Sequence, residues 1–403
     1  MSRCLPLPRH RGDRLILFHL LRGLRARGHH CSVVALSEPS DDDSIRAASA
    51  ALADVLEVVP ERPRSGLAYL LRIGAPFPSR ASRAWHPEAW KAIVRLTRDH
   101  DHDIVHFLGG IQVYEHRDAV PGRVRLIHPY ESYSWWLTRA IEAAPTRLAK
   151  VTHWLRKSAA RSYERRIYRG FDRVVVSTDR DERCLRSLLP GLPTAVLPLG
   201  VDLPSEVVPV ERRPESSVIF VGTLSYGPNV RAALRLVKDV LPRLREQVAD
   251  AAVALVGADP PEAVRRLEGP RVRVTGTVPD VLPWLSRARV FVSALQDGAG
   301  MKSKVLEAMA AGTPVVATPM SCDGLDVRDG DHVLLADSPQ DLANGAARVL
   351  RDDDLASRLA RSARRLVEER YGWPTVVSRT EELYAEMLAE HGRGSAISTA
   401  ASR

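Results

Sequence analysis

Short runs of β-branched and other apolar residues alternate along this chain with longer segments whose apolar positions recur every three or four residues. That alternation predicts α/β units with parallel strands. In the first half, strands are expected at Cys31–Leu36, Val55–Val59, Asp103–Phe107, Val124–Ile127, Arg173–Ser177 and Thr194–Leu197. In the second half they are expected at Ser217–Val221, Ala252–Val256, Val272–Thr275, Val290–Ser293, Pro314–Ala317 and His332–Leu335. Several are continuous apolar runs, as strands buried on both faces should be. Helices fall between them. Arg14–Arg27 places Leu17, Leu20, Leu21 and Leu24 on one face. Pro228–Gln247 opens with a proline suited to a first turn. Pro279–Ala288 and Ser303–Ala311 have the same character.

A chain of 403 residues is too long for one ordinary core and divides into two. The break is placed in a proline-rich stretch of mixed charge at 198–214, read as a linker. The expectation is a first Rossmann-like domain over 1–197, a second over 215–373, a helix over 374–390 that returns to the first domain, and a structureless tail from 391 to 403. The opening is unusual. A Rossmann-type unit begins strand, loop, helix, but almost no strand precedes the loop ending at Gly12. The first strand is either very short or lies before this start.

Composition narrows the classes. No apolar run reaches the roughly 18–20 residues of a membrane-spanning helix, and the N-terminus has no apolar core of a secretory signal. Four scattered cysteines, Cys4, Cys31, Cys184 and Cys322, fit reduced thiols and a cytoplasmic location. The formal net charge of +9 suits nucleic acid, anionic lipid or phosphorylated ligands, or is a generic arginine-rich composition. Nucleic acid is disfavoured, because the basic residues form no recognisable module with aromatics.

The segment Phe291–Thr318, FVSALQDGAGMKSKVLEAMAAGTPVVAT, reads as strand, glycine-bearing loop, helix and strand. Gly298 and Gly300 allow close approach of a ligand to the backbone. The free N–H groups of the helix that follows form an anion site suited to a pyrophosphate. Gly300, Lys304 and Glu307 share one helical face. Lys304 adds positive charge for phosphate, and Glu307 can accept two hydroxyl hydrogen bonds from a ribose. The plain alternative is a solvated Lys–Glu pair.

This segment resembles the donor-binding segment of the family 4 retaining glycosyltransferases of GT-B fold, through K-x-L-E-A-M-A-x-G-T-P-V-V-A-T and the Asp323-Gly324-Leu325 that follows. The resemblance extends over most of the chain. Arg11–Leu36 is similar to the first loop and helix of bacterial exopolysaccharide-type sugar transferases. YERRIYRGFDRVVVST with VLPLGVD resembles the end of the first domain, and VIFVGTLSYGPNV with VRVTGTVPDVLPWLSRARVFVSAL the opening of the second. It implies two Rossmann-like domains facing across a cleft. It also implies a nucleotide-sugar donor held by Gly222, Thr223, Gly276, Thr277, Val278, Gly300, Met301, Lys302, Lys304 and Glu307, with Lys304 and Glu307 as the catalytic candidates. Glu307 is the ribose-binding second Glu of the Glu-x7-Glu motif. Three positions depart from the pattern: Ala299 stands at the first Glu, Thr223 at the phosphate-binding Arg and Pro228 at its companion Lys. Lys302, Lys304 or Arg231 could supply the missing charge.

Other features have two readings each. Gly12, Asp13 and Arg14 form either a phosphate or acceptor loop or a turn with Asp13 as N-cap. His128, Glu131 and Ser132 follow a strand at its ligand-binding end, where they would orient an acceptor hydroxyl or simply complete a loop. The helical stretch Arg139–Arg169 interleaves basic residues with Trp154, Leu155 and Tyr163 and reads as a surface for an anionic membrane or as a solvated basic face. Asp41–Asp43 and Asp352–Asp354 are read as helix caps, and neither a metal nor a cofactor is inferred. The expected activity is metal-independent transfer of a hexose-type sugar from a nucleoside diphosphate sugar to an alcohol on a glycan, a lipid-linked sugar or a small molecule. A GT-B epimerase or phosphorylase, and a catalytically weak homologue that only binds nucleotide or glycan, are the alternatives.

Overall fold

The computed structural model describes residues 1–9, 12–61, 86–129, 132–142, 144, 146–214, 216–297 and 303–401. They form two compact units, 1–199 with 376–403, and 200–375.

Unit 1 carries six parallel strands, β1 (Ser32–Ser37), β2 (Val55–Pro60), β3 (Ile104–Leu108), β4 (Val124–His128), β5 (Arg173–Val176) and β6 (Thr194–Val196). β1 pairs with β2, and β3 to β6 pair in chain order. Residues 1–3 lie where an opening strand is expected. Ser2 bridges in parallel to both Ala35 and Leu108, with Ser2 N donating to Val34 O at 2.8 Å and Leu108 N donating to Met1 O at 2.8 Å. The two groups of strands are thereby joined through one short stub. It leads into α1 (Gly12–Ala26), amphipathic as its leucine spacing requires. α2 (Asp43–Ala50), α3 (Pro87–Asp99), α4 (Tyr133–Glu142), α5 (Arg147–Tyr168) and α6 (Asp179–Leu188) follow in chain order. The stretch expected as one helix over Arg139–Arg169 is two, because Pro145 disfavours helix at the residue before it and Thr146 caps α5 by accepting from Ala149 N.

Unit 2 holds β7 (Ser217–Val221), β8 (Ala252–Val256), β9 (Val272–Val274), β10 (Val290–Ser293), β11 (Val315–Ala317) and β12 (Leu334–Leu335), in the order β12-β11-β10-β7-β8-β9. This is the doubly wound order, whose chain reversal lies between β7 and β10. β10 and β11 are buried throughout, as parallel strands covered on both faces must be. The helix expected over Pro228–Gln247 is α7 (Gly227–Arg235), a π-helical turn at Leu236–Val240 and α8 (Leu241–Gln247). Pro242 removes one N–H from the ladder and crowds the preceding turn, which widens the register there. Pro279–Ala288 shrinks to a single turn at Leu282–Leu285. α9 (Ser303–Ala310), α10 (Pro339–Arg351) and α11 (Asp353–Arg370) complete the unit. The stretch expected as a linker packs onto it from residue 200 onward. Arg213 is buried and donates to Ala288 O at 3.0 Å, Thr313 Oγ1 at 2.9 Å and Ala311 O at 2.9 Å.

α12 (Trp373–Ala401) joins unit 1 from Val376 onward. Leu383 and Met387 pack against Val124, Leu126 and Val175. Tyr384 Oη and His106 Nδ1 lie 2.7 Å apart, and Arg173 pairs with Glu390 at 2.8 Å. A Cβ on Gly23 would stand 2.6 Å from a Val377 methyl, so α1 and α12 pack at close range. The helix runs through the residues expected as a structureless tail. Extending an existing helix needs no new nucleus, and no proline stops it.

Candidate functional site

The chain reversal of unit 2 concentrates the sequence candidates. β7, β8 and β9 are neighbours, and each is followed by a glycine: Gly222, Gly257 and Gly276. Gly222 N donates to Val256 O at 3.0 Å, and Gly257 N to Gly276 O at 3.3 Å. A Cβ on Gly257 would fall 1.8 Å from Gly222 O, so this close backbone approach requires glycine. Gly276 has φ of +69° and open space where a side chain would be. Thr277 beside it is exposed, and Val278 packs on the core of unit 2.

Across the reversal, β10 leads toward α9. The end of β10 is fixed by a buried hydroxyl network, with Ser321 Oγ 2.8 Å from both Ser293 Oγ and Thr318 Oγ1. α9 then buries Val305, Leu306, Ala308, Met309 and Ala310, which leaves Lys304 and Glu307 on the remaining face. Lys304 reaches over Gly222: its Cε is 3.2 Å from where a Gly222 Cβ would stand. Both side chains are half-buried. Burial pulls the Lys304 ammonium below the usual lysine range, opposed by Glu307. Burial pushes the Glu307 carboxyl above the usual glutamate range; Lys304 and the Ser303 hydroxyl oppose the rise, while Asp202 and Asp280 add to it. A cation and a polarisable carboxylate one turn apart are therefore held at the ligand-binding end of the sheet.

The structure brings Gly222, Thr223, Gly276, Lys304 and Glu307 to this end of unit 2. Gly298, Ala299, Gly300, Met301 and Lys302 lie outside the described residues. Arg231, on α7, pairs with Asp297 at the last described position of the loop. It is thus held beside the loop that leads to α9.

One residue escaped the sequence reading. Asn229 is 4 % exposed. Its Nδ2 donates to Thr223 O at 2.9 Å and would be 2.8 Å from a Gly222 Cβ. Among the described residues its Oδ1 has no hydrogen-bond partner. The signal was the Pro-Asn pair in the first turn of the helix after β7, where a buried amide can fix the glycine loop while facing Lys304.

In unit 1 the candidates are tied into local structure. Gly12, Asp13 and Arg14 lie inside α1 rather than in a loop before it. Asp13 accepts from Arg3 Nε at 2.8 Å. Arg14 is fully buried and donates to Asp41 Oδ1 at 2.7 Å and Glu38 Oε2 at 3.1 Å. These two side chains hold the residues before α1 and after β1 in place. His128 is the last residue of β4, buried and stacked on His106 at 6.0 Å between ring centroids. Burial brings its pKa down to about 3, so the ring is neutral. Glu131 lies outside the described residues. Ser132 is buried and within reach of Glu164. A cavity lined by His30, Cys31, His102 and Tyr384 opens at the opposite, N-terminal ends of these strands, away from the ligand end. Of the acidic triplets, Asp42 caps α2 and Asp352 caps α11, accepting from Ile45 N and Leu355 N, while Asp41 takes the Arg14 bond.

Two family models match the chain. One, glycosyltransferase family 4, covers residues 15–204, and the other, glycosyl transferases group 1, covers 215–352. A phosphatidyl-myo-inositol mannosyltransferase of Mycobacterium leprae is 30 % identical over 183 residues, 44 % of this chain and 48 % of that protein. A D-inositol 3-phosphate glycosyltransferase of a Nocardioides species is 27 % identical over 261 residues, 56 % of each chain. The chain spans about half the length of the curated relatives it matches. Among solved structures, a glycosyltransferase of Rickettsia africae superposes with a TM-score of 0.67 over 96 % of this chain and 98 % of its own, at 14 % identity. HepE of Anabaena, in complex with UDP and glucose, gives 0.61 over 96 % and 100 %, also at 14 % identity. The chain belongs to the family 4 glycosyltransferases of GT-B fold, built from two Rossmann-like domains.

Proposed function

We propose that this protein transfers a hexose-type sugar from a nucleoside diphosphate sugar to an alcohol acceptor, with retention of anomeric configuration and without a divalent metal. The observation that carries this is the placement of Lys304 and Glu307 on α9, with Lys304 lying over Gly222 at the chain reversal. Glu307 offers two carboxylate oxygens to a ribose diol. Lys304, Arg231 and the N-terminus of α9 supply positive charge to a diphosphate. As the glycosidic bond breaks, negative charge grows on the departing diphosphate, and groups already aimed at it lower the barrier. Gly276 and Val278 are assigned to the base. The UDP and glucose named with HepE support a nucleotide-sugar donor. The inositol-based acceptors named for the curated relatives support a polyol hydroxyl, free or on a lipid. A lipid acceptor would bring the chain to the surface of a membrane.

The test is a donor panel. Transfer and hydrolysis are followed with UDP-, GDP- and ADP-sugars, alongside equilibrium binding of the matching nucleoside diphosphates. One donor class is expected to bind with Glu307→Ala weakening it about ten-fold or more, the size of one lost charge-assisted hydrogen bond or somewhat above. If no nucleotide sugar binds, or Glu307→Ala is silent, the reading is wrong. Ala299 and Thr223 favour a second reading, a homologue that binds donor without turnover. It predicts nucleotide binding of full strength with neither transfer nor hydrolysis.

A further inference from the structure

α5 is longer than the sheet it covers. Its 22 residues extend about 33 Å, whereas the five residues of β4 extend about 17 Å. Every buried residue of the helix lies in its second half: Ala160, Tyr163, Glu164, Ile167 and Tyr168. The chain runs from the end of α5 directly into β5. The first half of the helix therefore projects past the C-terminal ends of the strands, the end where open α/β sheets bind ligands.

That projecting half is apolar on its outer side. Leu148 is 77 % exposed, Val151 54 %, Trp154 60 % and Leu155 58 %. At about 100° per residue these four fall on one stripe, and that stripe lies roughly opposite the face through which Ala160, Glu164 and Ile167 pack inward. The stripe is therefore no misplaced part of the core. Elsewhere among the described residues, exposed large apolar side chains occur singly or as the pair Val207 and Val208. Basic residues border the stripe. Arg147 heads the stripe, Lys150, Lys157 and Arg161 lie along one flank, Arg156 along the other, and the helix has one acidic residue, the buried Glu164. Among the described residues none of Arg147, Lys150, Lys157 and Arg161 forms an ion pair.

We infer that the first half of α5 is a docking surface for an anionic lipid bilayer, with Leu148, Val151, Trp154 and Leu155 entering the interface and the flanking basic residues meeting lipid phosphates. A protein partner would have to answer a strip of uncompensated positive charge with acidic groups set around an apolar centre. An anionic bilayer presents that combination over its whole surface. The inference rests on the transferase reading only for its purpose, which is to bring the ligand end of unit 1 to a lipid acceptor.

The experiment is co-sedimentation of the full chain with vesicles of phosphatidylcholine alone, and of phosphatidylcholine with phosphatidylglycerol at roughly one lipid in three. Nucleoside diphosphate binding is measured on the same samples. The expected result is binding to the anionic vesicles that weakens as salt rises. Leu148→Ser with Trp154→Ser is expected to lower it about ten-fold or more. Lys150→Gln with Arg161→Gln should weaken it at low salt and flatten its salt dependence. All four side chains are exposed, so folding and nucleotide binding should be unchanged. Equal sedimentation with both vesicle types, or an apolar variant that binds as well as the parent, overturns the inference. So does a concentration-dependent dimer abolished by Leu148→Ser with Trp154→Ser, which would assign the stripe to a second copy of the chain. Loss of vesicle binding with nucleotide binding intact refutes this surface alone; the reverse refutes the donor assignment alone.

Discussion

Lys304 lies across Gly222, with its Cε 3.2 Å from the position a Cβ would take on that glycine. The phosphate candidate on α9 is thus held by a gap in the neighbouring loop. Gly222→Ala would press on both Lys304 and Asn229 Nδ2, the latter at 2.8 Å. Donor affinity is expected to fall about ten-fold or more, because a displaced lysine loses a charge-assisted bond of roughly 1.5–3 kcal/mol. Gly257→Ala acts differently. Its Cβ would meet backbone, Gly222 O at 1.8 Å, and the cost should appear as a lower unfolding midpoint, at or above the usual 1–3 kcal/mol, roughly, for overpacking. Calorimetry and nucleotide titration on the two variants separate these outcomes.

The Glu307 and Lys304 shifts give a signed pH profile for donor binding. Glu307 is displaced upward, so on acidification it takes up a proton, and loses acceptor capacity, at a higher pH than an ordinary glutamate. Lys304 is displaced downward, so on the alkaline side it loses its charge at a lower pH than an ordinary lysine. Affinity should fall on both sides, with both limbs drawn inward. Glu307→Gln should remove the acid limb while lowering the plateau. An unchanged acid limb in that variant would show that some other group titrates.

What was legible from sequence follows from how each feature is encoded. Ser217–Val221, Ala252–Val256 and Val290–Ser293 could be placed to the residue because buried parallel strands are written as continuous apolar runs bounded by turns. Lys304 and Glu307 could be paired because helical spacing is local. Arg14 could not be assigned, since its partners Glu38 and Asp41 are brought to it only by the return of β1. Asn229 was missed for the same kind of reason: its neighbours, Gly222 and Lys304, belong to separate elements. The π-helical turn at Leu236–Val240 was signalled by Pro242, but the helical pattern around it is strong enough to mask it.

Asn229 is expected to matter through Lys304 and the glycine loop. Asn229→Ala removes the bond to Thr223 O and should cost about 1 kcal/mol of stability. Asn229→Asp keeps the shape and places a negative charge beside the diphosphate site. Donor affinity should then fall further than in the alanine variant, and the excess should shrink as salt rises. Equal affinities in the two variants would confine Asn229 to a structural part.

Arg14 tests the reverse assignment. Its guanidinium and the Asp41 carboxylate are each 1 % exposed. Arg14→Ala would leave that carboxylate buried without its cation, a change that costs about 3–5 kcal/mol. The variant should unfold at a markedly lower temperature while nucleotide affinity, measured well below that temperature, holds. Arg14→Lys should recover little, since one ammonium cannot reproduce the fork that meets Asp41, Glu38 and Leu7 O. A folded Arg14→Ala chain with greatly weakened donor binding would return Arg14 to the site.

Acid stability follows from histidines of unit 1 held below their usual range, His19, His106 and His128 foremost. His19 and His128 are brought down to about 3, both chiefly by burial, with Arg9 and Arg22 adding to the effect at His19. His106 is displaced well below the usual range by burial, the neighbouring His128 and the N-terminal ammonium. A depressed histidine pKa means that the unfolded chain binds protons the folded one refuses. Below the unfolded value of about 6.5, each such group therefore tilts stability against folding by up to roughly 1.4 kcal/mol per pH unit. Stability should be level above pH 7 on this account and fall steeply from about pH 6.5 downward. His128→Gln should flatten that fall, since one of these proton uptakes is removed. Met387→Ala should leave the slope unchanged while lowering the whole curve, because it loosens α12 from β4 and β5 without removing a bond to a histidine. Denaturant titrations at a series of pH values measure the slope, and a slope untouched by His128→Gln would place the proton uptake elsewhere.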